Sequence, residues 1–275
     1  MSCPAPVLIT TDLDRTLVFS RRATELLGGA LPADVIEIRA GRITGELARA
    51  AREALLALPP HVRLCPATSR TSGQLARLGL PFSYRYAIAA NGGVVLVDGQ
   101  PDPAWAARTR RELAEVAPVS AVQTLLAGFD GSPWLQRAGA ADDMSGFAIV
   151  EPAKLPVEVL AVIAASSLRL GWRTSLIGRK LYLFPAGFGK ELAAAFVADR
   201  VAEQAGLQPL RLAAGDAEHD RSMLAEADLA WTPAGSDLAR GNPAKARVTR
   251  LPGHAAAAQI TEEWLELCLK CWTRS

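Results

Sequence analysis

The sequence predicts an α/β protein with a Rossmann-like parallel-sheet core over residues 1–100 and 186–275 and an inserted smaller α+β domain over 101–185. Three observations lead there. In the first and last thirds, short apolar runs alternate with helical patterns, as in βαβ units. Three of those runs end abruptly in polar clusters, where open parallel sheets bind ligands. The middle of the chain changes to short strands around two helices, the habit of a small α+β unit. A length of 275 residues accommodates one large or two modest domains.

The run Val7–Thr11 is apolar and β-branched, which fits a buried strand, and it leads into Asp12-Leu13-Asp14-Arg15-Thr16. On extended backbone, Asp12 and Asp14 face the same way, so their charges repel. A hard cation such as Mg²⁺ would relieve that repulsion. Residues 21–28 suit a short helix and 34–40 a strand or hairpin edge. Residues 44–58 are rich in alanine and leucine at helical spacing and stop at Pro59-Pro60. A second strand over 61–67 ends in Thr68-Ser69-Arg70-Thr71, and a helix over 72–78 closes at Gly79. The third strand, 86–91, breaks at Asn91-Gly92-Gly93, from which 94–99 returns as a hairpin.

In the middle, residues 104–116 and 156–165 read as helices, and 147–150, 174–177 and 180–184 as strands. The parallel pattern then resumes with a helix over 190–206 and a strand over 209–214 that ends in Gly215-Asp216. A helix over 218–225, a strand over 228–231 and a last helix over 255–272 complete the chain.

Hydrophobic residues make up 50% and charged residues 21%, so the chain can build a sizeable core and is not disordered. A formal net charge of +2 is no signature of nucleic-acid binding. No apolar run approaches the length of a membrane span. The amino terminus lacks a basic n-region and enters its acidic motif at once, so no signal peptide is expected and the location is cytoplasmic by default. Cys268 and Cys271 are spaced like half a metal site, but no second pair or nearby histidine completes it. They lie in an amphipathic helical pattern, which makes a core-facing or idle pair the expectation. His61 and His254 are expected at the solvated surface. In the middle segment Trp134, Arg137, Asp142, Asp143, Trp172, Arg173 and Arg179 could meet a polyol, or simply form a polar surface.

Carboxylates at two strand ends, a hydroxyl at a third and Lys190 opening a helix after Gly187-Phe188-Gly189 form an inventory suited to phosphoryl transfer. Mg²⁺ and an ammonium can neutralise an incoming phosphate. A carboxylate can accept the phosphoryl group, splitting the reaction in two. A second carboxylate can protonate the leaving oxygen and later deprotonate water.

These motifs resemble those of haloacid dehalogenase superfamily phosphatases: Asp12-x-Asp14-x-Thr16, then Thr68, then Lys190, then Gly215-Asp216-x-x-x-Asp220. The resemblance implies Asp12 as nucleophile and Asp14 as general acid/base. It implies phosphate binding by Thr68 and Lys190, with Ser69 beside them. Mg²⁺ would be held by Asp12, the backbone carbonyl of Asp14, and Asp216, with Asp220 assisting. The insertion resembles the cap of the Cof-type and sucrose-phosphatase-like branch, as does Ala90-Asn91-Gly92-Gly93; in that branch such caps close over the site and select the leaving group. Asn91 and Arg70 are candidate substrate contacts. Ser69 stands where the branch usually has glycine, and His219 where it often has asparagine. Asp12 to Leu17, with Ala227 to Ala234, also resembles phosphatases of bacterial tellurium-resistance and stress gene clusters. The implied partner is a small phosphorylated metabolite such as a sugar phosphate, with no nucleic acid and no membrane. A phosphosugar mutase and a non-catalytic ligand-binding or regulatory module are the alternatives. The sequence carries no signal of oligomeric state.

Overall fold

The computed structural model describes residues 6–241, 243 and 245–273, with side chains as far as residue 270. The chain divides into two compact units, Met1–Gln100 with Lys190–Ser275, and Pro101–Gly189.

The first unit opens with β1 (Val7–Thr11), β2 (Val18–Phe19), α1 (Arg21–Leu27), the hairpin of β3 (Ala33–Arg39) and β4 (Arg42–Ala48), and α2 (Arg49–Leu56). It continues through β5 (Val62–Pro66), α3 (Ser72–Ala76), β6 (Tyr86–Ala89), β7 (Val94–Val97) and β8 (Gln100–Pro101). The second unit holds α4 (Pro103–Ala114), α5 (Val119–Ala127), β9 (Leu135–Ala141), β10 (Ser145–Val150), α6 (Val157–Arg169), β11 (Trp172–Ile177) and β12 (Lys180–Pro185). The chain re-enters the first unit at α7 (Lys190–Ala205), then β13 (Leu210–Ala214), α8 (Arg221–Glu226), β14 (Leu229–Thr232), α9 (Asp237–Arg240), β15 (Arg247–Val248) and α10 (Gly253–Thr273).

A five-stranded parallel sheet of order β15-β14-β13-β1-β5 carries the first unit. β6 extends it beyond β5 through a parallel bridge between Ala67 and Ile88. The chain builds from β1 towards β6 and then jumps back to β13, so the strand order reverses between β1 and β13. That switch point leaves a crevice at the carboxyl ends of both strands. All of β1 is buried, which is why it is a continuous apolar run rather than an alternating one. On the helical side, Trp231 of β14 and Trp264 of α10 meet edge to face at 6.1 Å. The Trp231 indole N–H donates to Glu263 at 2.7 Å.

Residues 44–58 do not form one helix. Ala40 (φ 48°) and Gly41 (φ 71°) make a tight turn that folds residues 42–48 back as β4, and the helix begins only at Arg49. The alanine and leucine content concealed the strand, whose stability comes from pairing with β3 rather than from propensity. His61 and His254 are also not solvated: they are 9% and 3% exposed. Nδ1 of His254 accepts from the backbone N–H of Leu31 at 3.5 Å, and its ring meets Phe19 edge-on. Cys65 and Cys268 are buried, and the Cys3 and Cys271 side chains lie outside the described residues.

The second unit is a four-stranded antiparallel sheet of order β11-β12-β10-β9 with α5 and α6 packed on it. β9, whose Ala/Gly-rich sequence gave no strand signal, is held by its ladder to β10. Trp134 and Trp172 lie in this unit's core with Val122, Ile163, Leu181 and Leu183, and the Trp172 indole donates to the carbonyl of Ala117 at 2.8 Å. Of the polar groups, Arg179 bonds Gln136, Arg173 bonds the Phe188 carbonyl, and Arg137 lies over the Phe147 ring. No helix among the described residues is long and apolar enough to cross a membrane.

Candidate active site

Strand register brings the motif residues level. Thr11 at the end of β1 pairs with Ala214 on one side and Pro66 on the other. The residues that follow leave the sheet together: Asp12 N–H donates to the Ala214 carbonyl at 2.8 Å, and Ala67 N–H to that of Thr11 at 2.7 Å. Thr68 N–H binds the Ile88 carbonyl at 2.8 Å, fixing the next loop. Asp12, Thr68, Asp216 and Asp220 all emerge at this edge, and each is at most 3% exposed.

Lys190, the first residue of α7, is fully buried. Its ammonium donates to Asp12 Oδ1 and Asp220 Oδ1, both at 2.6 Å. Asp220 Oδ2 accepts the backbone N–H groups of Asp216 and Ala217 at 3.1 Å. Gly215 makes that loop possible, because a Cβ there would stand 2.5 Å from the Asp220 Cβ. Burial pushes the Asp220 carboxyl up, but His219, Lys190 and the Ala217 N–H outweigh it and hold the group below its ordinary value. Asp12 has less help: besides Lys190, the Thr16 hydroxyl donates to Oδ2 at 3.2 Å. Burial therefore dominates, and against the pull of Lys190 it raises Asp12 from 3.8 to about 7, with Asp220 and Asp14 adding repulsion. Asp216 is raised well above its usual range by burial and by the fields of Asp12 and Asp220. One ammonium thus faces three buried carboxylates. Burial lowers His219 to about 4, and neither of its ring nitrogens has a hydrogen-bond partner.

The Asp14 carboxylate takes a different direction. Arg70 holds it by a two-pronged bond, Nε to Oδ2 and Nη2 to Oδ1, each 2.7 Å. The remaining guanidinium nitrogen, Nη1, donates to Glu37 Oε1 at 2.9 Å. Glu37 carried no motif signal; it is one glutamate between isoleucines.

Thr68 Oγ1 accepts the N–H of Arg70 at 3.1 Å, which leaves its proton available to another acceptor. Ser69 is half-buried in the same loop. Asn91 takes the left-handed conformation (φ 55°), and its N–H donates to the Thr68 carbonyl at 3.0 Å. Its side-chain oxygen is buried with no hydrogen-bond partner.

The donor set fits a divalent cation. Asp12 and Asp216 are hard oxygen donors whose proton affinity is raised by burial and mutual repulsion, which a 2+ ion would relieve. Ligand atoms of Asp12, His219 and Asp220 also lie within 4.8 Å of one another. Both Asp220 oxygens are already engaged by Lys190 and by backbone N–H groups.

The chain matches no protein-family model and no curated protein in sequence. Solved structures resemble it along nearly its whole length. Sucrose-phosphatase from Synechocystis sp. PCC6803 superposes with a TM-score of 0.65 at 15% identity, over 95% of this chain and 98% of that one. A trehalose-6-phosphate phosphatase related protein gives 0.60 at 16% identity, over 96% and 99%. A sugar phosphatase of haloacid dehalogenase subclass IIB gives 0.60 at 12% identity, over 94% and 98%. A parallel core sheet with its switch point beside β1, and an antiparallel α+β insertion before α7, give this chain the fold of the haloacid dehalogenase superfamily phosphatases.

Proposed function

We propose that the chain is a Mg²⁺-dependent phosphomonoesterase acting on a small phosphorylated metabolite, with a sugar phosphate as the leading class. The observation that carries this reading is the fully buried ammonium of Lys190 at 2.6 Å from Asp12, on the sheet edge shared with Asp216 and Thr68. A buried cation beside a carboxylate at a ligand-binding edge is suited to receive a phosphate.

In this reading an Asp12 oxygen attacks phosphorus and the ester P–O bond breaks, giving an aspartyl-phosphate. Asp14, protonated for this step on a lone pair that Arg70 leaves free, gives that proton to the departing alkoxide. Water then attacks the phosphoryl group and passes its proton to Asp14, releasing inorganic phosphate and restoring Asp12. Lys190 and the Thr68 hydroxyl hold phosphoryl oxygens, and Asp220 anchors Lys190. Asp12, Asp216 and the carbonyl of Asp14 would hold Mg²⁺, which would supply positive charge to offset that of the phosphoryl group. The inserted unit, Pro101–Gly189, is the counterpart of the cap domain, and Asn91, whose N–H donates to the Thr68 carbonyl, is a candidate substrate contact.

The test is a screen of phosphorylated metabolites that measures phosphate release with Mg²⁺. Release from sugar phosphates supports the esterase; an isomerised sugar phosphate with little free phosphate marks a mutase; binding without either product marks a non-catalytic module. Cation binding has its own readout. Saturating Mg²⁺ at about 100-fold over its Kd should stabilise the chelator-stripped protein by about 2.7 kcal/mol, visible as a higher melting temperature. Asp216→Asn should erase that shift, and an undiminished shift in the variant would remove Asp216 from the cation site.

A further inference from the structure

We infer that Glu37 is a positioning residue for Asp14, acting through Arg70; the inference deepens the phosphatase reading and rests on it. Glu37 lies on β3, distant from every motif in sequence, yet its side chain is 5% exposed. Burying a carboxylate costs free energy unless it is paired. Here burial pushes Glu37 up, while Arg70 and the Thr44 hydroxyl, which donates to Oε2 at 2.9 Å, bring it below its ordinary value.

Two local features place it there. The β3–β4 ladder shifts register on both sides of Glu37, a bulge of the kind that re-aims a side chain. Directly opposite stands Gly45, where a Cβ would lie 3.1 Å from the Glu37 Cβ and 3.2 Å from Val18 Cγ1. Bulge and glycine together admit a charged group to the interior face of the hairpin.

The product of this arrangement is a relay of fixed geometry. Thr44 orients Glu37, Glu37 fixes one arm of Arg70, and the other two guanidinium nitrogens grip Asp14. All three nitrogens of Arg70 are engaged by the chain itself, which assigns this residue to Asp14 rather than to a substrate. The Asp14 side chain is 44% exposed and would otherwise sample several rotamers. A proton donor misplaced by about 1 Å can cost on the order of 100-fold in rate.

The test compares wild type with Glu37→Gln and Thr44→Val on two esters, p-nitrophenyl phosphate and a simple alkyl phosphate. An acidic phenol leaves without a proton, whereas an alkoxide needs one. Glu37→Gln is expected to lower kcat on the alkyl ester about 10- to 100-fold, with KM within about twofold and a smaller loss on the aryl ester. Thr44→Val, which removes one hydroxyl, should shift both in the same sense but less, and it decides the matter if Glu37→Gln does not fold. Equal losses on both esters, a change in KM alone, or no change would overturn the inference. A wild type that releases no phosphate from any ester removes the reaction itself; an active wild type with unchanged variants refutes only the relay.

Discussion

Asp12→Asn is expected to abolish phosphate release, by about 10⁴-fold or more, while making the cation-free protein more stable at neutral pH. The first effect follows from removing the attacking oxygen. The second follows from electrostatics, because asparagine can still accept the Lys190 hydrogen bond but no longer repels Asp216 and Asp220. The sign with pH is fixed by the raised Asp12 value of about 7 against 3.8. Below about pH 4 the carboxyl is protonated in both folded and unfolded chains. Between about 4 and 7 the folded chain keeps a proton that the unfolded chain has released, so wild-type stability falls as pH rises. Above about 7 the deficit is complete. Melting curves of both proteins in chelator should therefore diverge across that window, with the variant on top by several degrees at pH 8. Parallel curves would show that Asp12 carries no such penalty, and retained turnover would show that it is not the nucleophile.

Lys190→Met is the opposite case. It removes the single ammonium that two carboxylates share and leaves Asp12 and Asp220 facing each other without a cation. Breaking a buried pair by deleting one partner costs about 3–5 kcal/mol. Urea unfolding at pH 8 should show a loss of that order, shrinking towards pH 5 as Asp12 takes up a proton. Turnover should fall together with affinity for inorganic phosphate as product inhibitor. A variant as stable as wild type at pH 8 would show that the pair is not what satisfies these carboxylates.

Much of this was legible in the sequence because parallel strands announce themselves as apolar runs, and polar residues that end such runs must gather at one edge. Asp12, Thr68 and Asp216 follow from that rule. The exceptions depend on long-range pairing. The Arg70–Glu37 bond spans 33 positions and the Arg70–Asp14 bond 56, and no local pattern encodes either. β4 resembled a helix because its partner strand, not its composition, makes it extended. His254 resembled a surface residue because its shelter, Phe19 and Leu31, comes from the other end of the chain.

The sequestration of Lys190 also makes it a clock for motion. The chain has five lysines, and the other four, Lys154, Lys180, Lys245 and Lys270, are exposed. Reductive methylation at neutral pH should mark those four within minutes and reach Lys190 only when α7 swings away from the sheet edge. The slow methylation of Lys190, the fifth lysine, would time the local breathing of the site.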